Sequence, residues 1–295
     1  MKKKEVIIAV VITASVLLFF GFIALALFGE SEDAAVSLGG KKIGLIEVHG
    51  VIVNPTDFIR QIKRFSKDNS IPVIVLDIDS PGGGVAASQE MYEEIGKAKD
   101  KGKRIVAAMR SVAASGGYYI ACAADTIVAN PGTITGSIGV IFEFPVVEGL
   151  LKKVGVRFEV VKSGALKDVG SMWREMTPQE RKMVQDLIND TYDQFVDVVA
   201  KGRNLDRKKV LNIADGRVFT GRMAKDLKLV DELGNLEDAL KIANQMGGMT
   251  GEPKVIKERP RRRATIFDLL GKSAVTLTAL TENEKFFPKL QYLYR

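Results

Sequence analysis

The sequence predicts an α/β fold with a mainly parallel sheet, preceded by one transmembrane helix. Three observations carry this. Short apolar runs alternate with longer amphipathic stretches from residue 43 onward. One of those runs, 72–78, is apolar almost without interruption, as expected of a strand buried on both faces between helices. Finally, residues 6–28 contain no charge at all.

That first stretch is 23 residues long. As a helix it reaches about 34 Å, enough to cross a hydrocarbon core. Lys2, Lys3 and Lys4 precede it, and Glu30, Glu32 and Asp33 follow. The positive-inside rule then puts the lysines in the cytoplasm and the bulk of the chain outside, on a single-pass anchor in the cell (inner) membrane. A cleaved signal peptide is the competing reading, with Ala24-Leu25-Ala26 as a small-x-small site. A signal h-region is typically only about 7–15 residues, which favours an uncleaved anchor.

Residues 1–29 are thus read as cytoplasmic stub and anchor, and 30–42 as a small, polar, glycine-containing linker. The folded domain is expected over 43–250. Within it, 43–48 reads as a strand, 56–67 as an amphipathic helix, 72–78 as the buried strand and 86–98 as a helix. Residues 104–108 read as a strand, 117–124 as a helix and 126–129 as a short strand. A glycine-rich loop leads to a further strand at 156–161. A long helix covers 178–200, with Thr177 as N-cap, Pro178 at its first position and Glu180 completing a capping box. A last helix covers 236–246. The tail, 251–295, changes character: it has a basic run at 258–263, an apolar stretch at 266–270 and a mixed end at 286–294. It reads as an appendage for a membrane surface or a partner.

Composition narrows the chemistry. The 295 residues are 46% hydrophobic and 27% charged, enough for one sizeable domain with appendages. One cysteine, Cys122, precludes an intrachain disulfide and a cysteine zinc site, and one histidine, His49, precludes a multi-histidine metal centre. No metal or other cofactor is expected. The net charge is +7. Lys2, Lys3, Lys4, Arg259, Arg261, Arg262 and Arg263 account for the excess. Without these seven of its 43 basic residues, the chain balances its 36 acidic ones. Basic clusters near the two ends fit a membrane surface better than nucleic acid, which favours a basic face on the folded domain.

Four stretches carry chemistry. Asp79-Ser80-Pro81-Gly82-Gly83-Gly84 follows the buried strand; its glycines permit a sharp turn and expose N–H groups able to hold an anion or a developing oxyanion, although an ordinary strand-to-helix turn would look similar. Ala113-Ala114-Ser115-Gly116-Gly117-Tyr118-Tyr119 places a serine between small residues at a helix start, where it is either a nucleophile with room for substrate or a simple cap. Thr135-Gly136-Ser137-Ile138-Gly139 lies in a loop whose hydroxyls could equally bond their own backbone. Lys162-Ser163-Gly164-Ala165-Leu166-Lys167-Asp168 follows a strand, and solvated lysines are the commonest kind.

A serine nucleophile needs a base. His49 sits at a strand end with no acidic orienter in a motif. A neutral lysine can take the same role. Cys122, the rival nucleophile, lies in Ile120-Ala121-Cys122-Ala123-Ala124, where a thiol is usually inert packing.

These four stretches, in this order, resemble the signal peptide peptidase A (protease IV) family in its short, single-domain form. The resemblance includes Gly216-Arg217-Val218-Phe219-Thr220-Gly221 and Leu229-Val230-Asp231-Glu232-Leu233-Gly234 and spans 43–246 plus the anchor. It implies a fold related to the Clp protease and enoyl-CoA hydratase (crotonase-like) superfamily. It implies that Ser115 is the nucleophile, Lys167 the general base and Ser137 the group that orients the lysine. Backbone N–H groups of Gly82 or Gly83, with Gly116, would form the oxyanion hole. It further implies peptide substrates, among them remnant signal peptides in the membrane, and a homo-oligomeric ring with shared active sites. The rival expectations are acyl-CoA chemistry on the related fold and a catalytically silent membrane scaffold.

Overall fold

The computed structural model describes Thr13, residues 40–258 and residues 291–293. The chain divides into Met1–Gly40 and Lys41–Arg295. The proposed anchor, 6–28, lies outside the described residues except for Thr13. Among the described residues no helix is long and apolar enough to cross a membrane.

The second unit is a mixed α/β domain with a mostly parallel sheet. Its centre is three parallel strands: β1 (Ile43–His49), β2 (Val73–Ser80) and β4 (Arg104–Ala114). Val73, Ile74, Val75, Leu76 and Ile78 are fully buried, which is why this run is apolar on both faces. Even-numbered residues of β1, Ile46 and Val48, face one core with Ile74, Leu76 and Ile78 of β2. Helices α1 (Thr56–Lys67), α2 (Val85–Asp100), α3 (Gly116–Ala121) and α5 (Pro178–Arg203) supply residues to that core. Ile43, Leu45, Val73 and Val75 face a second core closed by Ala239, Leu240 and Ala243 of α8 (Leu236–Met246). The sheet is therefore sandwiched between helices, as the alternating pattern requires.

Strand β4 outruns the expected 104–108 and its length organises the site. Its first half pairs β5 (Thr126–Ala129), which pairs β8 (Glu232–Leu233). Its second half pairs β6 (Ile134–Gly136), which pairs β7 (Val218–Thr220). Two short connections follow the long helix, α6 (Arg207–Leu211) and α7 (Gly221–Asp226). The glycine run forms a strand of its own, β3 (Gly82–Gly84). The expected capping box is present: Thr177 Oγ accepts from Glu180 N–H, and the Glu180 carboxylate accepts from Thr177 N–H at 2.8 Å.

One expected element is absent. Residues 156–161 form no strand, and Val156, Phe158, Val160 and Val161 stand 45–94% exposed. Their composition suits a strand, but among the described residues no strand offers them a ladder, and an unpaired strand is not stable alone. The helix before them, α4 (Glu148–Val154), buries none of its residues. Two segments of the expected tail join the domain as strands: β9 (Val255–Lys257) extends the sheet beside β1, and β10 (Gln291–Leu293) pairs antiparallel with β3.

Candidate active site

Ser115 sits on a sharp turn between β4 and α3, with φ 53° and ψ −117°. A non-glycine residue rarely takes this conformation, and such strain concentrates at functional positions. The turn is over-determined by its surroundings. Ser115 N–H donates to Gly136 C=O at 2.8 Å, and Ser115 C=O accepts from Tyr119 N–H at 2.8 Å. Tyr118, fully buried, donates its hydroxyl to Leu229 C=O and so pins α3 against the far motif. The serine side chain does not cap the helix. Its residue is 1% exposed and its Oγ has no hydrogen-bond partner. A buried orphan hydroxyl costs about 1–3 kcal/mol, so its retention calls for a reason other than stability.

The glycine strand lies against this turn. A Cβ on Gly116 would fall 3.2 Å from Gly83 N and 2.6 Å from Ser88 Oγ, so only glycine lets the two segments close. A Cβ on Gly83 would fall 2.1 Å from Ile52 C=O. Gly82 N–H is already bonded to Ser80 Oγ at 3.1 Å. Ile52 N–H donates to Gly82 C=O and Gly84 N–H to Ile52 C=O, each at 2.8 Å. Backbone alternation then turns the N–H and C=O of Gly83 to the opposite edge, the edge β10 pairs.

Ser137 joins Ser115 through strand register. Ala114 is opposite Gly136 in the parallel β4–β6 pair, so the two serines leave neighbouring strand ends together. Ser137 also has positive φ, 51°, and its N–H donates to Arg217 C=O at 2.8 Å. The Gly216–Gly221 motif thus frames Ser137. Beside it opens a pocket of about 560 Å³, lined by Ser137, Val140, Glu143, Ile188, Tyr192 and Asp215 among others.

The structure does not bring Lys167 to either serine. Its side chain is exposed, and it lies in a turn closed by Lys167 N–H to Gly164 C=O at 3.1 Å. That turn is tied down by its neighbours. Asp168 pairs with Lys162 and, at 2.9 Å, with Arg174. Arg174 reaches onward to both carboxylate oxygens of Glu180 at 2.5 and 2.8 Å, anchoring the lysine loop to the start of α5. The Arg174 guanidinium, then Lys162, holds the Asp168 carboxyl down at about 2, and Arg174 with the Thr177 N–H does the same for Glu180.

Both carboxyls have folded values below their usual range. The anchor therefore contributes fully above about pH 4 and is lost as pH falls toward 2. Trp173, the sole tryptophan, lies inside this loop, stacked on Phe158 at 4.0 Å, and reports it. Its fluorescence should hold steady down to about pH 4 and change with a midpoint nearer 2. A midpoint in the ordinary carboxylate range would contradict the ion-pair anchor.

A domain built around an elbow serine, a glycine strand and a loop lysine invites comparison with known chains. The sequence profile of peptidase family S49 matches residues 97–249. A putative protease of Synechocystis sp. is 47% identical over 210 residues, covering 71% of this chain and 76% of the relative. The chain belongs to peptidase family S49. Its kinship is with the signal peptide peptidase A branch. A putative signal peptide peptidase SppA of Enterococcus faecium is 40% identical over 230 residues, covering 72% of this chain and 67% of the relative. A serine protease SPPA of Arabidopsis thaliana chloroplasts is 32% identical over 252 residues, covering 83% and 37%. This chain is accordingly a peptidase.

The other polar candidates are occupied. His49 Nε2 lies 3.7 Å from Asp77, which Arg110 already holds through two bonds at 2.6 and 2.9 Å. Glu47, the third ligand-type group within reach of these two, is paired with Lys257 at 2.6 Å. Cys122 is buried in the S49 core, and that burial pushes its thiol up to about 12. Thiol reagents at pH 8 should therefore leave native protein unlabelled and react only on unfolding; stoichiometric native labelling would contradict this.

Sequence reasoning missed Ile52, Ser80 and Ser88 as the groups that shape β3, because each acts through a contact set by the fold. It also missed β10, whose pairing with β3 has no local signature.

Proposed function

We propose that this chain is a membrane-anchored serine endopeptidase that cleaves remnant signal peptides and other membrane-associated peptides with Ser115 as nucleophile and Lys167 as general base. The observation that carries the reading is Ser115: its backbone is strained, and its hydroxyl is buried and unpartnered, at the start of a helix and against the glycine strand. The strand-to-helix elbow presents a nucleophile in this way, with the N–H of the following residue, here Gly116, available to an oxyanion. Of the two candidate glycines in the first loop, Gly83 is the donor, since Gly82 N–H is spent on Ser80. The fold is taken as Clp and crotonase-like, with β3 and α3 as the shared oxyanion framework.

In this mechanism neutral Lys167 accepts the proton of Ser115 as Oγ attacks a peptide carbonyl, and Ser137 hydrogen-bonds the lysine and aims it. The Gly83 and Gly116 N–H groups hold the oxyanion. The lysine then gives the proton to the leaving amine, and water hydrolyses the acyl-enzyme.

Such a base must come from elsewhere, since Lys167 is solvated in its own subunit. A homo-oligomeric ring supplies it from an adjacent chain. Supporting this, Leu150, Val154, Val156, Phe158, Val160 and Val161 are exposed together on one stretch that precedes the lysine loop. Contiguous exposed apolar surface of this kind marks an interface. A second copy could also provide the ladder that 156–161 lacks. The uncharged segment 6–28 supports an anchor that would hold the ring on the outer face of the cell membrane, with the amino terminus cytoplasmic.

The reading is tested by peptide hydrolysis with the full chain in detergent. Profiling with a peptide library should show a preference for small or apolar side chains at the cleaved position, since no charged residue lies within the Ser115 motif. A strict demand for acidic or basic side chains there would contradict it.

A further inference from the structure

We propose that Ser88 is a positioning residue for the oxyanion hole, setting the gap between the segments that carry the Gly83 and Gly116 N–H groups; this rests on the peptidase reading above. Helix α2 begins directly after β3, with Gly84 as its N-cap, and Ser88 stands one turn in, fully buried. Its Oγ donates to Gly84 C=O at 3.0 Å. An N-cap carbonyl already accepts the first bond of its helix, so the hydroxyl adds a bond the backbone does not require. A serine bonded back to the carbonyl four residues earlier slightly destabilises a helix, and alanine is the better helix former. Helix stability therefore gives no reason for a hydroxyl here.

The reason lies across the gap, at Gly116. A Cβ on Gly116 would fall 2.6 Å from Ser88 Oγ, 3.2 Å from Gly82 Cα and 3.2 Å from Gly83 N. Gly116 thus sits in a notch with the β3 backbone on one side and the serine oxygen on the other. Because Oγ is bonded to Gly84, the last residue of β3, the oxygen and the glycine strand are held as one unit. Both proposed donors are therefore spaced by the same side chain. An oxyanion hole acts through donors fixed in advance at the place where charge develops, and a misplacement of about 1 Å can cost about a hundredfold in rate. Alanine at position 88 would take away the oxygen and open space beside Gly116, letting the start of α3 drift relative to β3. The loss would fall on the charged transition state and spare ground-state binding of the peptide.

The test compares Ser88→Ala with the parent and with Gly116→Ala, each as the full chain in detergent. Ser88→Ala should lower kcat for a reporter peptide about tenfold or more, keep KM within about twofold and leave Tm unlowered. A peptide aldehyde gains a bond from its carbonyl carbon to Ser115 Oγ, the base takes the serine proton, and the carbonyl oxygen becomes the anion in the hole. Its affinity should fall by the same factor as kcat/KM. Gly116→Ala drives a Cβ onto Ser88 Oγ and should lose more activity. Adding Ser88→Ala clears the shortest of these contacts, so the double variant should turn over faster than Gly116→Ala alone. Losses that simply multiply in the double variant would overturn the shared contact. Unchanged kcat in Ser88→Ala, or a lower kcat with undiminished aldehyde affinity, would overturn the positioning role while leaving the peptidase reading in place. A parent that neither cleaves peptide nor binds the aldehyde would overturn the peptidase reading and this role with it.

Discussion

Replacement of Ser115 by alanine removes peptide cleavage and raises stability. Loss of the nucleophile should lower kcat by about 10⁴-fold or more, the scale seen when a serine peptidase loses its nucleophile. The second half of the expectation comes from the orphan hydroxyl. Ser115 Oγ is buried and bonds to nothing, so alanine breaks no partner and removes a desolvated polar group. The gain should be on the order of 1 kcal/mol, read as a higher Tm. A residue that merely capped α3 would behave in the opposite way, losing stability and keeping turnover. Wild-type turnover with a lowered Tm would therefore identify Ser115 as a structural cap.

The second expected result is rescue between two inactive proteins. In the proposed mechanism Ser115→Ala lacks the nucleophile and Lys167→Ala lacks the base, and each should be inactive alone. Lys167 is exposed and bonded to neither serine within its own chain, while its loop is held firmly through Asp168, Arg174 and Glu180. A rigidly held, solvated lysine is suited to enter a neighbour's site, where burial would favour its neutral form. The pocket beside Ser137 is open to receive it. After full subunit exchange of equal amounts in a head-to-tail ring, about a quarter of the sites should pair an intact Ser115 with an intact Lys167. Turnover should recover to about that fraction. Exchange without recovery would show that each chain carries its own complete site.

Much of this was legible in the residues, and the rest was hidden for physical reasons. The β-branched runs of β1 and β2 and the capping box at Thr177 are local signals, and local signals survive folding. Residues 156–161 have the composition of a strand yet form none, because a strand is completed by a partner and none of the described residues supplies one there. Strand β4 was read as half its length, since its second half, Met109 to Ala114, is stabilised by β6 and contains the polar Arg110 and Ser111. The Ser115 and Ser137 motifs stood out as glycine-flanked serines, but their adjacency depends on the β4–β6 register. The choice of Gly83 over Gly82 depends on one hydrogen bond to Ser80 and on Ile52, thirty positions away in sequence from the glycine run. Lys167 could be picked out only by family resemblance, because an exposed lysine carries no mark of its role.

The central claim is that Ser115 becomes covalently acylated with Lys167 as its base. The most direct measurement is to treat the full chain with a serine-directed acylating probe and locate the adduct by peptide mass mapping. The account predicts one adduct, on Ser115, forming faster as pH rises, unaffected by His49→Gln and suppressed in Lys167→Ala. An adduct on another residue, or on Ser115 at an undiminished rate in Lys167→Ala, would contradict it.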